Sequence, residues 1–181
     1  SHCYTHDNER IEYPLLDREA ITYESEKTVH LIILGMSRMG VAMGTFAAHL
    51  LHFPNYCRDR SKKSRITFVD AHADSEMDFF RNRYRGLFEI SSVLYKDYSK
   101  SEVVEKVIQP TYFSGKDADF LDVEFEFVKG NVESSAIQNY LKDVVNDNNS
   151  LTSVFVCLKE PSHNMVVGLS LPNEVYDRAI P

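Results

Sequence analysis

The stretch VHLIILGMSRMGVAMGTFAAHLLHF, residues 29–53, decides how the rest of the chain is read. It opens with Val29 to Gly35, a short run rich in Ile and Leu and closed by glycine, the pattern of a strand buried on both faces. From Arg38 to Phe53 the apolar residues Val41, Phe46, Ala47, Leu50 and Leu51 recur at helical spacing, and Pro54 stops the run. The sequence therefore predicts a strand, a tight turn through GMSRMG and a helix. That turn is either a nucleotide cradle or a compact join, and what the other strands bring beside it decides between them.

Upstream, residues 1–28 are mixed and charged and read as a lead-in to a domain over 29–181, with Ala20 to Tyr23 as a short strand. Cys3 and His6 are two metal-type ligands, too few for a closed site, and read as terminal residues. Downstream, Arg58, Arg60, Lys62, Lys63 and Arg65 crowd one segment; it reads as a solvated loop, with contact to an anionic ligand or partner as the alternative. Ile66 to Val69 gives a second strand, closed by Asp70. The region around 79–121, with Phe79, Phe80, Tyr84, Leu87 and Phe88, reads as a helical insertion whose aromatics pack.

Alternating Val123, Phe125 and Phe127 mark a further strand ending at Gly130 and Asn131. An amphipathic helix follows, with Ile137, Tyr140, Leu141, Val144 and Val145 on one face and Asn131 as its N-cap. LTSVFVCL is another buried strand and PSHNMVVGLSL another helix. This alternation predicts an α/β fold, a doubly wound parallel sheet. The chain stops where a closing strand is expected, which reads as an excised domain.

Composition bounds the function. The 181 residues, 43% hydrophobic, suffice for the core of one domain. A net charge of −7 excludes a nucleic-acid binder, which needs clustered cations to neutralise phosphates. Cys3, Cys57 and Cys157 lie far apart, giving neither a disulfide framework nor a CxxC site, and fit a reducing cytoplasm. No run approaches the roughly 18–20 apolar residues of a membrane span, so the domain is expected to be soluble, alone or as part of a membrane-attached polypeptide.

In a parallel sheet, ligands sit beyond the carboxyl ends of the strands. There Gly35 and Gly40 occupy the first and third glycine positions of G-x-G-x-x-G, with Ser37 at the middle one. Gly35 permits the turn, Gly40 allows close helix packing, and helix amides face a pyrophosphate, to which the Ser37 hydroxyl can donate. Asp70 suits a ribose diol, or else caps a helix; the long basic loop accounts for its distance from Gly40. His163, with Lys159, Glu160 and Asn164, reads as a solvent-facing loop residue rather than a catalytic acid or base.

Taken together, HLIILGMSRMGVAMGTFAAHL, ITFVDAHAD, FEFVKGNVESSAIQNYL and SVFVCLKEPSHNMVVGLSL resemble the TrkA-N or RCK domain, the Rossmann-type regulatory module of potassium channels and transporters. The resemblance covers roughly 29–172 outside the insertion. It departs at Ser37, at Asn131 where the family has Asp, and at the closing strand. It implies a cofactor site built from Gly35, Met36, Ser37, Arg38, Met39 and Gly40, then Asp70 and Ala71, then Gly130, Asn131 and Val132 near the adenine, then Leu158 and Asn164. The implied ligand is NAD(H), or ATP, ADP or AMP. It further implies a homodimer on the cytoplasmic side, associated with a membrane potassium channel or transporter subunit, and no catalysis. An NAD-dependent oxidoreductase and a non-binding dimerisation or scaffold module are the alternatives.

Overall fold

The computed structural model describes residues 2–6, 9–13, 20–112 and 121–179, the first two ranges as paired backbone only. Those two ranges form an antiparallel pair, β1 (His2–His6) and β2 (Glu9–Tyr13). The Cys3 and His6 side chains lie outside the described residues. The rest of the chain runs β3 (Thr28–Leu34), α1 (Arg38–Ala48), α2 (Asn55–Arg58), β4 (Ser64–Asp70), α3 (Ala73–Arg83), α4 (Arg85–Phe88), β5 (Val93–Asp97), β6 (Val104–Ile108), β7 (Val123–Lys129), α5 (Ser135–Val145), β8 (Ser150–Val156), α6 (Pro161–Leu169) and α7 (Asn173–Arg178). The six-stranded sheet has the order β6-β5-β7-β4-β3-β8, parallel throughout except for β6.

Helices cover both faces of this sheet. On one, α1, α3 and α4 close over Ile33, Phe68, Phe125 and Phe127; the Phe68 and Phe127 rings stack at 5.6 Å and Phe80 meets Phe68 edge-on at 5.4 Å. Each such ring pair adds about 0.5–1.5 kcal/mol to the gain from burial alone. On the other, Ile137, Leu141 and Val145 of α5, with Val167 and Val175, pack on Ile32, Leu34, Val69 and Val128. The residues of β3 alternate between these two layers, which is why the strand reads as a continuous apolar run.

Four sequence expectations change here. Ala20 to Tyr23 forms no strand; Thr22 and Ser25 close a turn instead, the Thr22 N–H donating to Ser25 Oγ at 2.9 Å. The basic segment is held by this lead-in: Arg58 and Lys62 pair with Glu26 at 2.5 and 2.9 Å, and buried Asn55 donates to the Lys27 carbonyl at 2.9 Å. The expected helix to Phe53 ends at Ala48, where the Leu50 and Leu51 amides both turn back to the Ala47 carbonyl at 2.9 Å. Its buried face is Gly40, Gly44, Ala47 and Ala48, while Phe46 and Leu50 are 65% and 60% exposed. The cause is close approach: Gly44 sits against the Phe68 ring, where a Cβ has no room.

The expected helical insertion is mixed rather than helical. After α3 and α4 it adds β5, parallel to β7, and β6, antiparallel to β5, so it widens the sheet. The cap of α5 is Ser134, whose hydroxyl accepts from the Ile137 amide; Asn131 instead accepts from the Glu133 amide at 3.0 Å, closing a local turn.

A polar chain is buried under α5. His30 Nε2 lies 2.7 Å from Thr67 Oγ1, Thr67 donates to Glu126 Oε2 at 2.7 Å, the Tyr140 hydroxyl donates to the same oxygen at 2.9 Å, and Lys96 pairs with Oε1 at 2.9 Å. Burial, acting against the Glu126 charge, lowers the His30 pKa to about 4. The unfolded chain takes up that proton near the ordinary value of about 6.5, so between these values it binds more protons than the folded one. Stability should therefore fall as pH drops from about 6.5 to about 4, by up to about 3 kcal/mol. Urea unfolding at pH 7 and pH 4.5 measures this, and His30→Gln should remove most of the slope.

Candidate functional site at the carboxyl edge of the sheet

The register aligns the ends of the adjacent strands β7, β4, β3 and β8: Leu34 faces Val69 on one side and Val156 on the other, and Asp70 faces Lys129. The chain then turns at Gly35, φ +105°, a conformation that side-chain-bearing residues rarely adopt. Close packing fixes the turn as well, since a Cβ there would lie 2.6 Å from the Cys157 carbonyl oxygen. The Gly35 amide donates to the Val69 carbonyl at 2.8 Å, the Gly130 amide to Asp70 O at 3.1 Å and the Cys157 amide to Leu34 O at 2.7 Å, so hydrogen bonding continues past the strands.

Asp70 is 15% exposed and holds two segments at once: Oδ2 accepts from the Met36 amide at 2.9 Å and Oδ1 from the His72 amide at 2.8 Å. Ser37 caps α1, its hydroxyl accepting from the Gly40 amide at 3.2 Å. Gly40 lies against the Gly35 carbonyl, and Gly130 against Ile137, whose Cδ1 would be 2.6 Å from an added Cβ. The Met36 side chain belongs to the core. Asn164 lies in the first turns of α6 and accepts from the Leu158 amide at 2.7 Å.

Two clefts flank the turn and share Leu158. The smaller, about 240 Å³, is lined by Asp70, Ala71, Asn131, Val132, His163 and Val167. The larger, about 620 Å³, lies where the order of connection reverses between β3 and β8, and includes Ser37, Arg38, Met39, Cys157, Lys159 and Asn164. A third hollow of about 410 Å³ between α1 and α3 takes in Met36, Arg38, Phe79 and Arg83. Of the predicted site residues, nine thus line the two flanking clefts (Ser37, Arg38, Met39, Asp70, Ala71, Asn131, Val132, Leu158 and Asn164), whereas Gly35, Gly40 and Gly130 are buried scaffold.

Cys157, which the sequence places within the strand LTSVFVCL, and Lys159, which it places on the adjoining loop but not among the ligand-binding residues, both line the larger cleft. His163 sits in the first turn of α6, 3.4 Å from Glu133 across the smaller cleft, so it is an ion-pair candidate rather than a loop residue. Lys159 pairs with Glu76 at 2.8 Å and Lys129 with Asp74 at 2.6 Å, which raises both ammonium pKa values and lowers that of Asp74. Burial pushes the Cys157 thiol up, away from a reactive thiolate. Among the described residues Arg38 has no ion-pair partner, and no group of three or more His, Cys, Asp or Glu could hold a metal. No helix of the described residues is long and apolar enough to cross a membrane.

No family model matches the chain, and neither the curated proteins nor the solved structures contain a significant match to it.

Proposed function

We propose that the chain is a non-catalytic regulatory domain of Rossmann type, on the TrkA-N/RCK pattern, that binds an adenine nucleotide at the carboxyl edge of its sheet. The observation that carries this reading is the placement of the Gly35 turn and the start of α1 beside Asp70, between two clefts that share Leu158. Arg38 strengthens it. A cation in the first turn of a helix opposes the helix dipole, a cost that an anion bound at the same end removes.

In this reading the adenine lies against Val132 and Val167 in the smaller cleft, the ribose meets the remaining acceptor capacity of Asp70, and the phosphates meet the start of α1. NAD(H) is the first candidate, since the larger cleft has room beyond the phosphates; ATP, ADP and AMP follow. Coupling to a potassium channel or transporter on the cytoplasmic face of a membrane requires only that the nucleotide prefer one of two domain arrangements.

Thermal unfolding with millimolar NAD, NADH, ATP, ADP or AMP tests the proposal. A ligand at a hundredfold excess over its Kd stabilises the folded state by about 2.7 kcal/mol. Arg38→Ala should cut the affinity tenfold or more while leaving the unliganded transition in place, because the side chain is exposed. Gly40 is a poor probe, since any Cβ there runs into the Gly35 carbonyl. One observation favours the scaffold alternative: Asp70 and Ser37 already serve internal amides. Failure of all five nucleotides to move the transition would select it.

A further inference from the structure

The hollow of about 410 Å³ between α1 and α3 has a charge that the protein itself does not balance. One wall is α1, with Arg38 and Val41; the other is α3, with Phe79, Phe80 and Arg83. In a chain of net charge −7, cations elsewhere find carboxylates: Arg58 pairs with Glu26, Arg65 with Glu124 and Lys129 with Asp74. Among the described residues neither Arg38 nor Arg83 has an ion-pair partner. Glu76, the carboxylate on the lining, is committed to Lys159 at 2.8 Å. Two guanidinium charges, one from each wall, are therefore left to the hollow.

Arg83 is also placed rather than loose. Its guanidinium lies 5.8 Å from the centroid of the Tyr84 ring, a contact that holds the face of the group and leaves its N–H edge for an acceptor in the same plane. The apolar part of the lining runs from buried Phe80 to Phe79, which is 73% exposed. A lone exposed ring needs no explanation, but one that borders a hollow beside two unpaired guanidiniums offers a planar ligand a surface to stack on. The volume lies near the low end of the roughly 300–1,000 Å³ of small-molecule sites, which suits a body of one or two rings.

We infer that this hollow is a binding site for a small aromatic dianion, whose ring lies against Phe79 and Val41 and whose negative groups meet Arg38 and Arg83. A phosphate monoester carries both charges on one group and a dicarboxylate carries them apart; the shared chemistry is a ring with two negative charges. An anion without a ring leaves the apolar wall in water, and a neutral ring leaves the guanidiniums unpaired. The site shares Ser37 and Arg38 with the larger cleft beside the glycine turn and no residue with the smaller one, and it does not depend on the nucleotide reading.

NMR titration of the 181-residue chain, following its amides, tests the inference with phenyl phosphate and terephthalate as probes and inorganic phosphate and phenol as controls. At least one dianion should shift the amides of Arg38, Val41, Phe79 and Arg83 saturably, with a Kd of about 1 mM or tighter, and which one does so tells a phosphate ligand from a dicarboxylate. Each control should bind at least tenfold more weakly. Arg83→Gln and Phe79→Ala should each raise the Kd of the bound dianion tenfold or more while leaving the unliganded thermal transition in place, because both side chains are exposed. Arg83 lines neither cleft beside the glycine turn, so Arg83→Gln should leave stabilisation by a nucleotide unchanged, and the two readings fail separately. The inference is overturned if neither dianion gives a saturable shift, if the shifts fall on other residues, if Arg83→Gln leaves the Kd unmoved, or if inorganic phosphate binds as tightly as the aromatic dianions.

Discussion

Glu126→Ala is expected to destabilise the protein by about 3–5 kcal/mol, the usual cost of removing one partner from a buried ion pair. The carboxylate is 1% exposed and is the common acceptor for Thr67, Tyr140 and Lys96. Its loss leaves the buried Thr67 and Tyr140 hydroxyls without their common acceptor and takes from Lys96 its nearer carboxylate, leaving it only the exposed Glu105 at 3.8 Å. Glu126→Gln keeps an acceptor for the hydroxyls and loses only the charge, so it should cost clearly less. Burial pushes this carboxyl up, but Lys96, Thr67 and Arg65 outweigh it and hold the pKa below the ordinary 4.5. The stability so gained is complete above the unfolded value and is lost as pH falls through the lower folded one. The gap between the parent and the variants should therefore narrow in strong acid. Urea unfolding at neutral pH measures the gap, and a loss below about 1 kcal/mol for the alanine variant would mean that water replaces the carboxylate.

The second large effect is at the glycine turn. Gly35→Val places a branched side chain at φ +105°, which costs about 1–3 kcal/mol in backbone strain. It also drives a Cβ to 2.6 Å from the Cys157 carbonyl oxygen and 2.9 Å from Leu158 Cα, both backbone atoms that cannot swing aside. Overpacking of this kind adds about 1–3 kcal/mol, for a total near 4 kcal/mol. Gly86→Ala is the control: a Cβ there meets nothing within 4 Å, so the change should stay within about 0.5 kcal/mol. If the two variants unfold at the same urea concentration, the turn is not constrained as described.

The strands and helices that the sequence revealed are those whose composition follows their environment. β3 is apolar because helices cover both its faces, and α5 shows a clean stripe because only one of its faces is covered. The elements it hid break that correspondence. β6, VEKVI, lies exposed at the sheet margin and has no reason to be apolar. The packing face of α1 consists of glycine and alanine, so its large side chains, which dominate any periodicity count, point outward. Asn131 and Ser134 are both capping types, and only the backbone decides that Ser134 begins the helix.

The carboxyl-edge residues were legible because the ends of parallel strands must converge. What Asp70 and Ser37 bond to was not, since it depends on distances between segments far apart in the chain. A signal for part of the polar chain was present and unread: His30 interrupts a strand that is apolar on both faces, and a buried strand keeps such a residue only when it has partners, whereas Glu126, two residues from Glu124, reads as the polar side of an alternating strand.

The unlike margins of the sheet bear on how far assembly can propagate. β6 runs against its neighbour and presents Glu105 and Lys106 to solvent, with Glu105 3.8 Å from Lys96. A further molecule approaching that margin would have to strip water from alternating charges before forming a single peptide contact. Fibre growth needs a templating surface at each end of the unit, and among the described residues the six-stranded sheet has one at most. Any strand-to-strand association through β8 is therefore self-terminating, and a concentrated solution should reach a fixed stoichiometry instead of a polymer.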